Sequence, residues 1–401
     1  MRIVCFFSLL MMHFSLNAQT ASFNITYTGT SNQVEQAINK AADIWSNILI
    51  SNVPIKLNIT WGDASSLGVL GITISNGIKD FPNAPYSNVW YPSCLADAFA
   101  GYDLQPSDTD MDIFLDSSTD WYFGLDGNCP FWQHDLVSCA LHEIGHGLGF
   151  YSVANISTQN EGSFSLQIEP FAISLASFPM PNLNGEPLIY DLFVQNVQGD
   201  DLIDTNLFQN PSNLLASEFT SDYLYFSGIN SMNANNNSRP KIYAPSAFAF
   251  GSSVLHLDET VFHSSTSDAL MTPFSSSGEV NHLPGAITVG VLLDIGWNVN
   301  GVSLAENTKE PFVLNQNYPN PFINETTISF SMNSPSKMSL DLYNVRGEKV
   351  RSLLNSKQSS GSHKIKFEPK DDQGNKLFPG VYFYILKNKD TSIQKKLMVC
   401  D

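Results

Sequence analysis

Apolar residues recur along the chain at spacings that predict a few regular elements. Where they lie three or four residues apart they indicate amphipathic helices, and where they alternate they indicate strands. The predicted helices cover residues 31–50, 135–150 and 285–297, and the predicted strands cover residues 55–61 and 111–115. Residues 151–255 show only weak periodicity, so we expect them to form a long insertion or a binding surface.

The last ninety residues follow a different pattern, in which apolar residues occupy every second position. The alternating positions are Met338, Leu340 and Leu342, then Ile365 and Phe367, then Val381, Phe383 and Ile385. Short strands at regular spacing predict a small all-β, immunoglobulin-like sandwich in this part of the chain.

Charge divides the chain near the same point. The sequence has 20 basic and 38 acidic residues, a formal charge of -18. Residues 21–305 hold 5 of the basic and 28 of the acidic residues, whereas residues 306–401 hold 14 and 10. Two domains are therefore predicted, at residues 19–305 and 312–401, with a linker at residues 306–311. The acidic body would repel phosphate backbones, so nucleic acid is not an expected partner.

The first 18 residues have the pattern of a secretory signal peptide. Arg2 precedes an apolar run over residues 3–14, and small and polar residues follow as far as Ala18. No later stretch reaches the roughly 18 apolar residues of a membrane span, so we expect an exported protein without a transmembrane helix. In an oxidising compartment Cys94 and Cys129 could form a disulfide, although isolated buried thiols fit the sequence at least as well.

The candidate chemistry concentrates in the run His142-Glu143-Ile144-Gly145-His146. On a helix His142 and His146 lie about 40° apart on one face and about 6 Å apart along the axis, so both imidazoles can reach one metal ion. Glu143 lies about 100° round from His142, where it can hold a metal-activated water without binding the metal itself.

Glycine follows at alternate positions, as Gly145, Gly147 and Gly149. Each costs about 1 kcal/mol in a helix interior, so the three together predict close backbone approach and a defined helix end. The run resembles the long active-site motif of the metzincin zinc peptidases, in which a glycine turn brings in a third histidine ten positions after the first. That position is Ser152 in this chain, and serine is a poor ligand for zinc.

Downstream segments resemble leishmanolysin-like peptidases, in which an insertion separates the glycine turn from the third histidine. Residues 254–258 contain His256, residues 269–273 contain Met271, and residues 293–297 resemble the closing helix of that family. The resemblance implies an α+β metzincin-like zinc peptidase domain with an insertion at about residues 151–255, and with Met271 in a turn beneath the metal. It implies one catalytic Zn²⁺ with the ligands His142, His146 and His256.

The residues alone leave alternatives for the third ligand. His263 lies eight residues before Met271 and could reach the metal through a tight loop. A carboxylate would instead produce the two-histidine, one-glutamate set of thermolysin-like enzymes; the candidates are Glu161, Glu169 and Glu186. The alternative for Met271 is an ordinary core methionine, which is a common use of that residue, but its place between His256 and the closing helix favours the turn.

Two weaker signals concern metal binding and catalysis. A group of five aspartates could hold a structural Ca²⁺, but its spacing does not match an EF-hand loop and a solvated acidic surface is the favoured interpretation. These residues are Asp108, Asp110, Asp112, Asp116 and Asp120. Tyr190, Tyr223 and Tyr225 are candidates to stabilise a developing oxyanion, and nothing in the sequence chooses among them.

The tail carries its own motifs. Residues 314–322 open it, residues 380–384 form an aromatic strand, and residues 395–399 end it with two lysines before an apolar run. Together they resemble the type A sorting domain of the type IX secretion system of Gram-negative bacteria. The resemblance implies that the tail contacts the type IX secretion machinery and that the protein crosses the outer membrane, to be released or attached to the surface.

These features predict a secreted zinc-dependent endopeptidase that hydrolyses protein or peptide substrates, with Glu143 as the general base. The alternative is a catalytically inactive zinc-binding or adhesive protein of the cell surface. The presence of Glu143 favours the enzyme, because a structural metal is normally closed off by a fourth protein ligand and needs no general base.

Overall fold

The computed structural model describes two compact units that divide between residues 301 and 302. The described residues are 19–165, 186–300, 312–314, 317, 319–332, 335–359, 361–389 and 392–400. The predicted signal peptide, the predicted linker at residues 306–311 and Glu169 lie outside them. Each unit has a hydrophobic cluster of its own.

The first unit mixes helices with several small sheets. Its helices are α1 Asn32–Ile48, α2 Ser93–Ala100, α3 Leu136–Gly147, α4 Asn213–Phe219, α5 Ile229–Ala234 and α6 Ala286–Ile295, with a 3-10 helix at Ile189–Phe193. Its strands are β1 Phe23–Thr28, β2 Leu49–Ile50, β3 Ile55–Gly62, β4 Gly71–Ser75, β5 Gly77–Lys79, β6 Trp90–Pro92, β7 Met111–Asp116, β8 Trp121–Tyr122, β9 His134–Asp135, β10 Ala154–Ile156, β11 Gly162–Phe164, β12 Val194–Gln195, β13 Leu224–Phe226, β14 Lys241–Ile242 and β15 Asn298–Val299.

The largest sheet of this unit has the strand order β1-β3-β7-β4. The first three strands are parallel, and β4 pairs antiparallel with β7 so that Thr73 lies opposite Ile113. Helices α1 and α3 pack together, and the indole of Trp45 donates a hydrogen bond to Leu141 O at 3.0 Å. The hydroxyl of Thr73 on β4 donates to Glu143 on α3, so the sheet edge at β4 and the helix α3 share one region of the core.

Helix α3 begins where the side chain of Asp135 accepts a hydrogen bond from Ser138 N at 2.7 Å. The same carboxylate accepts from His282 Nε2 at 2.8 Å, which ties the segment before α6 to the start of α3. The helix is buried on every side, and only His142 among its later residues is partly exposed. Neighbouring elements therefore cover most of α3.

The glycines of α3 lie where neighbouring side chains approach the helix closely, as predicted. A Cβ on Gly145 would lie 2.9 Å from Met271 Sδ, and a Cβ on Gly147 would overlap the sulfur of Met111. Gly149 has a φ of +116°, a conformation that favours glycine, and it turns the chain immediately after the helix. The predicted helix end and the predicted close contacts are both confirmed.

The described residues between α3 and His256 form only very short elements. Strands β10 and β11 form a two-stranded sheet, and strands β12, β13 and β14 form a three-stranded one. Strands of two or three residues cannot produce a readable alternation, which explains the weak periodicity in the sequence. The chain nevertheless contributes core residues here, including Phe219 and Phe226, which are fully buried.

The cysteines do not form the suggested disulfide. Cys94, Cys129, Cys139 and Cys400 are all free. Cys94 on α2 is buried with its sulfur 3.6 Å from Gly147 O, whereas Cys129 directs its sulfur towards Gln133 O at 3.3 Å. The pairing of Cys94 with Cys129 was therefore wrong, because the two thiols face different parts of the backbone.

The predicted acidic surface is largely wrong. Asp110, Asp112 and Asp116 on and beside β7 are each less than 7% exposed. Asp110 accepts from Lys56 N at 2.7 Å, Asp112 from the amide of Asn58 at 2.9 Å, and Asp116 from Ala64 N at 2.7 Å. Since each carboxylate serves a different donor, these side chains stabilise strand ends, and they form no close ligand group within the described residues.

Across its described residues the second unit consists of strands. They are β16 Phe312–Leu314, β17 Thr326–Met332, β18 Ser336–Asn344, β19 Lys349–Gln358, β20 Gly361–Phe367, β21 Gly380–Lys387 and β22 Ser392–Val399. They form two antiparallel sheets, with the orders β16-β17-β20 and β19-β18-β21-β22. Buried residues of both sheets join in a single cluster.

Strand β21 corrects one detail of the sequence pattern. The buried positions are Tyr382, Tyr384 and Leu386, not the intervening residues that the alternation suggested. Both sets are apolar or aromatic, so hydrophobicity alone could not tell the two faces of this strand apart.

Candidate metal centre

Three imidazoles converge in the first unit. The Nε2 atom of His146 lies 2.9 Å from that of His142 and 3.2 Å from that of His256, and the remaining pair is 3.3 Å apart. Among the described residues, these three form the one group of His, Cys, Asp and Glu side chains whose possible ligand atoms lie this close together. His142 and His146 come from successive turns of α3, whereas His256 is 110 residues further along the chain.

The outer nitrogen of each ring is held by a backbone carbonyl. His142 Nδ1 lies 2.6 Å from Leu270 O, His146 Nδ1 lies 2.6 Å from Phe150 O, and His256 Nδ1 lies 2.9 Å from Ser252 O. A carbonyl oxygen only accepts, so each Nδ1 carries the hydrogen in the neutral ring and each Nε2 directs a lone pair inward.

The three Nε2 atoms lie about 3 Å from one another and each directs a lone pair inward, an arrangement that fits a divalent cation. Neutral imidazole with a carbonyl on its second nitrogen is the usual form of a zinc-binding histidine. Burial lowers the pKa of His142, lowers that of His146 well below its usual range, and lowers that of His256 to about 3. All three rings are therefore neutral at neutral pH, which is the state that binds metal.

The rival third ligands lie apart from this group. His263 is exposed, and its Nδ1 lies 2.8 Å from Ser265 Oγ. The carboxylate of Glu186 forms an ion pair with Lys79. Neither His263, Glu186 nor Glu161 belongs to the close group of imidazoles.

The position that carries the third ligand in the compact metzincin motif has another role here. Ser152 is buried, and its hydroxyl donates to Asp191 Oδ1 at 2.6 Å while accepting from Ala154 N at 3.1 Å. Burial raises the pKa of Asp191 to about 7, and the hydrogen bond from Ser152 acts in the opposite direction. Ser152 therefore anchors the chain after α3 to the segment 188–193.

Met271 links the segments that carry the histidines. Its side chain is fully buried and contacts the position of Gly145 on α3. Its carbonyl accepts from Leu257 N at 2.8 Å, directly after His256, and the preceding residue Leu270 provides the carbonyl that holds His142. Met271 thus packs against the helix between the two histidines of α3, where a turn beneath the metal was predicted.

Glu143 lies beside the imidazoles with only 5% of its surface exposed. Its Oε2 accepts a hydrogen bond from the hydroxyl of Thr73 at 2.7 Å, and a Cβ on Gly71 would lie 2.8 Å from its Oε1. Burial raises the pKa of Glu143 to about 7, while the hydrogen bond from Thr73 lowers it. A carboxylate with a pKa near neutrality suits a general base.

Sequence reasoning missed Gly71 and Thr73. The available signal was the run Gly-Ile-Thr-Ile-Ser at residues 71–75, which alternates as a strand does. That alternation identifies a strand but does not reveal which helix the strand contacts.

A cleft of about 450 Å³ opens over the three histidines and Glu143. Most of its wall is apolar or small, and the residues Leu70, Ile72, Phe250, Leu255 and Phe274 contribute to it. Tyr151 is a lining tyrosine that sequence reasoning did not consider. The three tyrosines that were considered lie elsewhere: Tyr190 is buried and bonds to Val254 O, Tyr223 is largely exposed, and Tyr225 packs beneath Arg239.

Comparison with known families identifies the tail. Residues 316–400 match the secretion system C-terminal sorting domain, so the predicted type IX sorting domain is confirmed. The protein is exported through the type IX machinery to the cell surface or the extracellular space. Among the described residues, no helix combines the length and apolar character that crossing a bilayer requires. Residues 8–187, which include His142 and His146, match a family described as SPBPB7E8-like.

Solved structures match short parts of the chain. Dimeric latent PorU from Porphyromonas gingivalis is 24% identical over 22% of this chain and 9% of its own, with a TM-score of 0.20. PorZ, a surface component of the type IX secretion system of the same organism, is 20% identical over 21% and 11%, with a TM-score of 0.17. This chain therefore spans about a tenth of either relative. A search of curated proteins finds no match.

Proposed function

We propose that this protein is a secreted zinc-dependent endopeptidase with a metzincin-like catalytic unit of the leishmanolysin-like kind and an immunoglobulin-like, type A sorting tail. One observation carries the proposal. Three neutral imidazoles with carbonyl-bound outer nitrogens turn their free nitrogens to one point, and a buried carboxylate lies in the same cleft. A purely structural metal site would need no such carboxylate.

The residues divide the work between them. His142, His146 and His256 would hold Zn²⁺, and Leu270, Phe150 and Ser252 orient the rings through their carbonyls. Bound zinc supplies Lewis acidity towards a water molecule and towards the carbonyl of the bond to be cleaved.

Glu143 is the general base in this proposal. It takes a proton from the attacking water and later delivers it to the leaving amine. Its burial at the cleft wall limits competing solvent, and its pKa near 7 allows both steps at neutral pH.

The strand β4 supports a polypeptide as the substrate. It is an edge strand of its sheet, and Ile72, Thr73 and Ile74 line the cleft. An edge strand presents unpaired backbone groups that can pair with an extended peptide. This favours hydrolysis of peptide bonds over hydrolysis of esters or of amides outside a polypeptide.

The decisive experiment compares wild type with Glu143→Gln. The variant keeps one zinc ion per chain but loses casein hydrolysis by about 100-fold to 10,000-fold, the usual contribution of a positioned general base. Glu161→Gln is the matched control and retains full activity, because Glu161 lies outside the group of histidines. Addition of a chelator abolishes activity in both active proteins.

The same measurement tests the alternative of an inactive zinc-binding or adhesive surface protein. That alternative requires a zinc-loaded wild type that cleaves neither casein nor peptides. A Glu143→Gln variant that cleaves at the wild-type rate contradicts the assignment of the base.

A further inference from the structure

We propose that Thr73 is a positioning residue for the general base. Its hydroxyl, together with the space left because Gly71 has no side chain, fixes the Glu143 carboxylate against strand β4. The inference rests on the proposed function, since it assigns a task to the same site. It concerns a contact between residues 70 positions apart in sequence.

Three small residues of β4 face the helix α3. Gly71, Thr73 and Ser75 alternate along the strand, so they share one face of it. Gly71 and Thr73 meet the side chain of Glu143, and the hydroxyl of Ser75 lies 3.3 Å from Gly147 O one turn further along α3. The strand therefore contacts α3 through a row of small side chains that leaves room for one carboxylate.

Thr73 contacts only one of the two carboxylate oxygens of Glu143. Thr73 Oγ1 lies 2.7 Å from Oε2 and 2.9 Å from the backbone oxygen of the same Glu143. A hydroxyl has one proton, and the charged acceptor attracts it more strongly. Oε1 has no hydrogen-bond partner among the described protein groups, and it is the oxygen that a Cβ on Gly71 would displace. Oε1 is thus the oxygen left to take the proton of the attacking water and to deliver it to the leaving amine.

Rigid backbone on both sides makes this a fixed arrangement. Thr73 is β-branched and sits within a paired strand opposite Ile113, so its side chain has few alternative orientations. Glu143 lies in the middle of α3, whose neighbours bury it. A base held in this way needs little reorganisation when the reaction begins.

The test uses the zinc-loaded full-length protein and a fluorogenic peptide cut by wild type. Thr73→Val keeps the shape of the side chain and removes the donor, so kcat falls roughly tenfold to a hundredfold, the value of one hydrogen bond to a charged group. KM and zinc content stay unchanged. Thr73→Ser restores most of the lost kcat because it restores the hydroxyl.

Two further variants change the same face of β4, one beside the carboxylate and one away from it. Gly71→Ala lowers kcat, because its Cβ would lie 2.8–2.9 Å from the Oε1, Cδ and Cγ atoms of Glu143 and would push the carboxylate aside. Near-ultraviolet circular dichroism and zinc content show whether this variant is folded. Ser75→Ala is the matched control on the same strand face and leaves kcat at the wild-type value, since its hydroxyl contacts Gly147 O and not Glu143.

A double-mutant cycle supplies a readout that does not depend on catalysis. In chelator-treated protein, Thr73→Val lowers the urea midpoint when Glu143 is present and has a smaller effect in a Glu143→Ala background. Additive effects in this cycle overturn the inference. So does a Thr73→Val enzyme that keeps the wild-type kcat or that loses its zinc. A Thr73→Ser enzyme as impaired as Thr73→Val also overturns it. If wild type cleaves nothing, the proposed function fails, and the cycle then reports separately on whether Thr73 holds Glu143.

Discussion

Replacing His256 tests the metal centre most directly. His256 is 4% exposed, and its Nε2 lies 3.2 and 3.3 Å from the Nε2 atoms of His146 and His142. Removing its ring takes one of three inward lone pairs from the site. The variant His256→Ala should therefore bind zinc much more weakly while its other two ligands stay in place on α3.

The magnitude follows from the number of protein ligands. A structural zinc site with four ligands contributes about 10–16 kcal/mol, or roughly 3 kcal/mol for each ligand. Loss of one imidazole should weaken zinc binding by about 100-fold, since 1.4 kcal/mol corresponds to a factor of ten. His256→Asn keeps a polar side chain at the buried position and should show a similar loss, which separates the missing ligand from the missing volume.

Zinc affinity is measured by competition against a chromogenic chelator at neutral pH, with near-ultraviolet circular dichroism as the check on folding. His263→Ala is the matched control, because His263 is exposed and bonds to Ser265. We expect it to bind zinc as wild type does. The reasoning is refuted if His256→Ala keeps wild-type affinity, or if His263→Ala shows the loss instead.

Three other predictions concern the surroundings of the site. Adding Ser152→His to the His256→Ala variant should not recover zinc affinity, because Ser152 bonds to Asp191; recovery in the same chelator competition would show that position 152 faces the metal. Burial raises the pKa of Asp191 from 3.8 to about 7, so the folded chain holds a proton that the unfolded chain releases between these values, and stability falls as pH rises through this window. The difference in unfolding free energy between wild type and Asp191→Asn should therefore change by up to about 4 kcal/mol across this pH window. A difference that is constant with pH contradicts the raised pKa of Asp191. Gly147→Ala should lower the free energy of unfolding by about 1–3 kcal/mol because its Cβ overlaps the buried sulfur of Met111, and an unchanged urea midpoint would show that the core can yield.

Elements with a strong local pattern were predictable from the sequence. The predicted helix at residues 31–50 is α1 Asn32–Ile48, and the predicted strand at residues 55–61 is β3 Ile55–Gly62. Helix spacing likewise placed His142 and His146 on one face, because that relation depends only on residues of a single helix. Burial of the acidic residues around β7 was not predictable, because their partners Lys56 N, the side chain of Asn58 and Ala64 N belong to or follow β3, about 50 residues away in the sequence.

The paired histidines with Glu143 between them, the glycine-marked helix end and the sorting tail were all predictable without a fold, since each is encoded within a short stretch of chain. The residues that complete the site were not, because they come from distant segments that only folding brings together. Folding brought His256 to the pair across 110 residues, placed Gly71 and Thr73 against Glu143, and turned Ser152 towards Asp191. Such contacts follow from how distant segments pack around a shared core, and no periodicity within one segment records which distant segment it will meet.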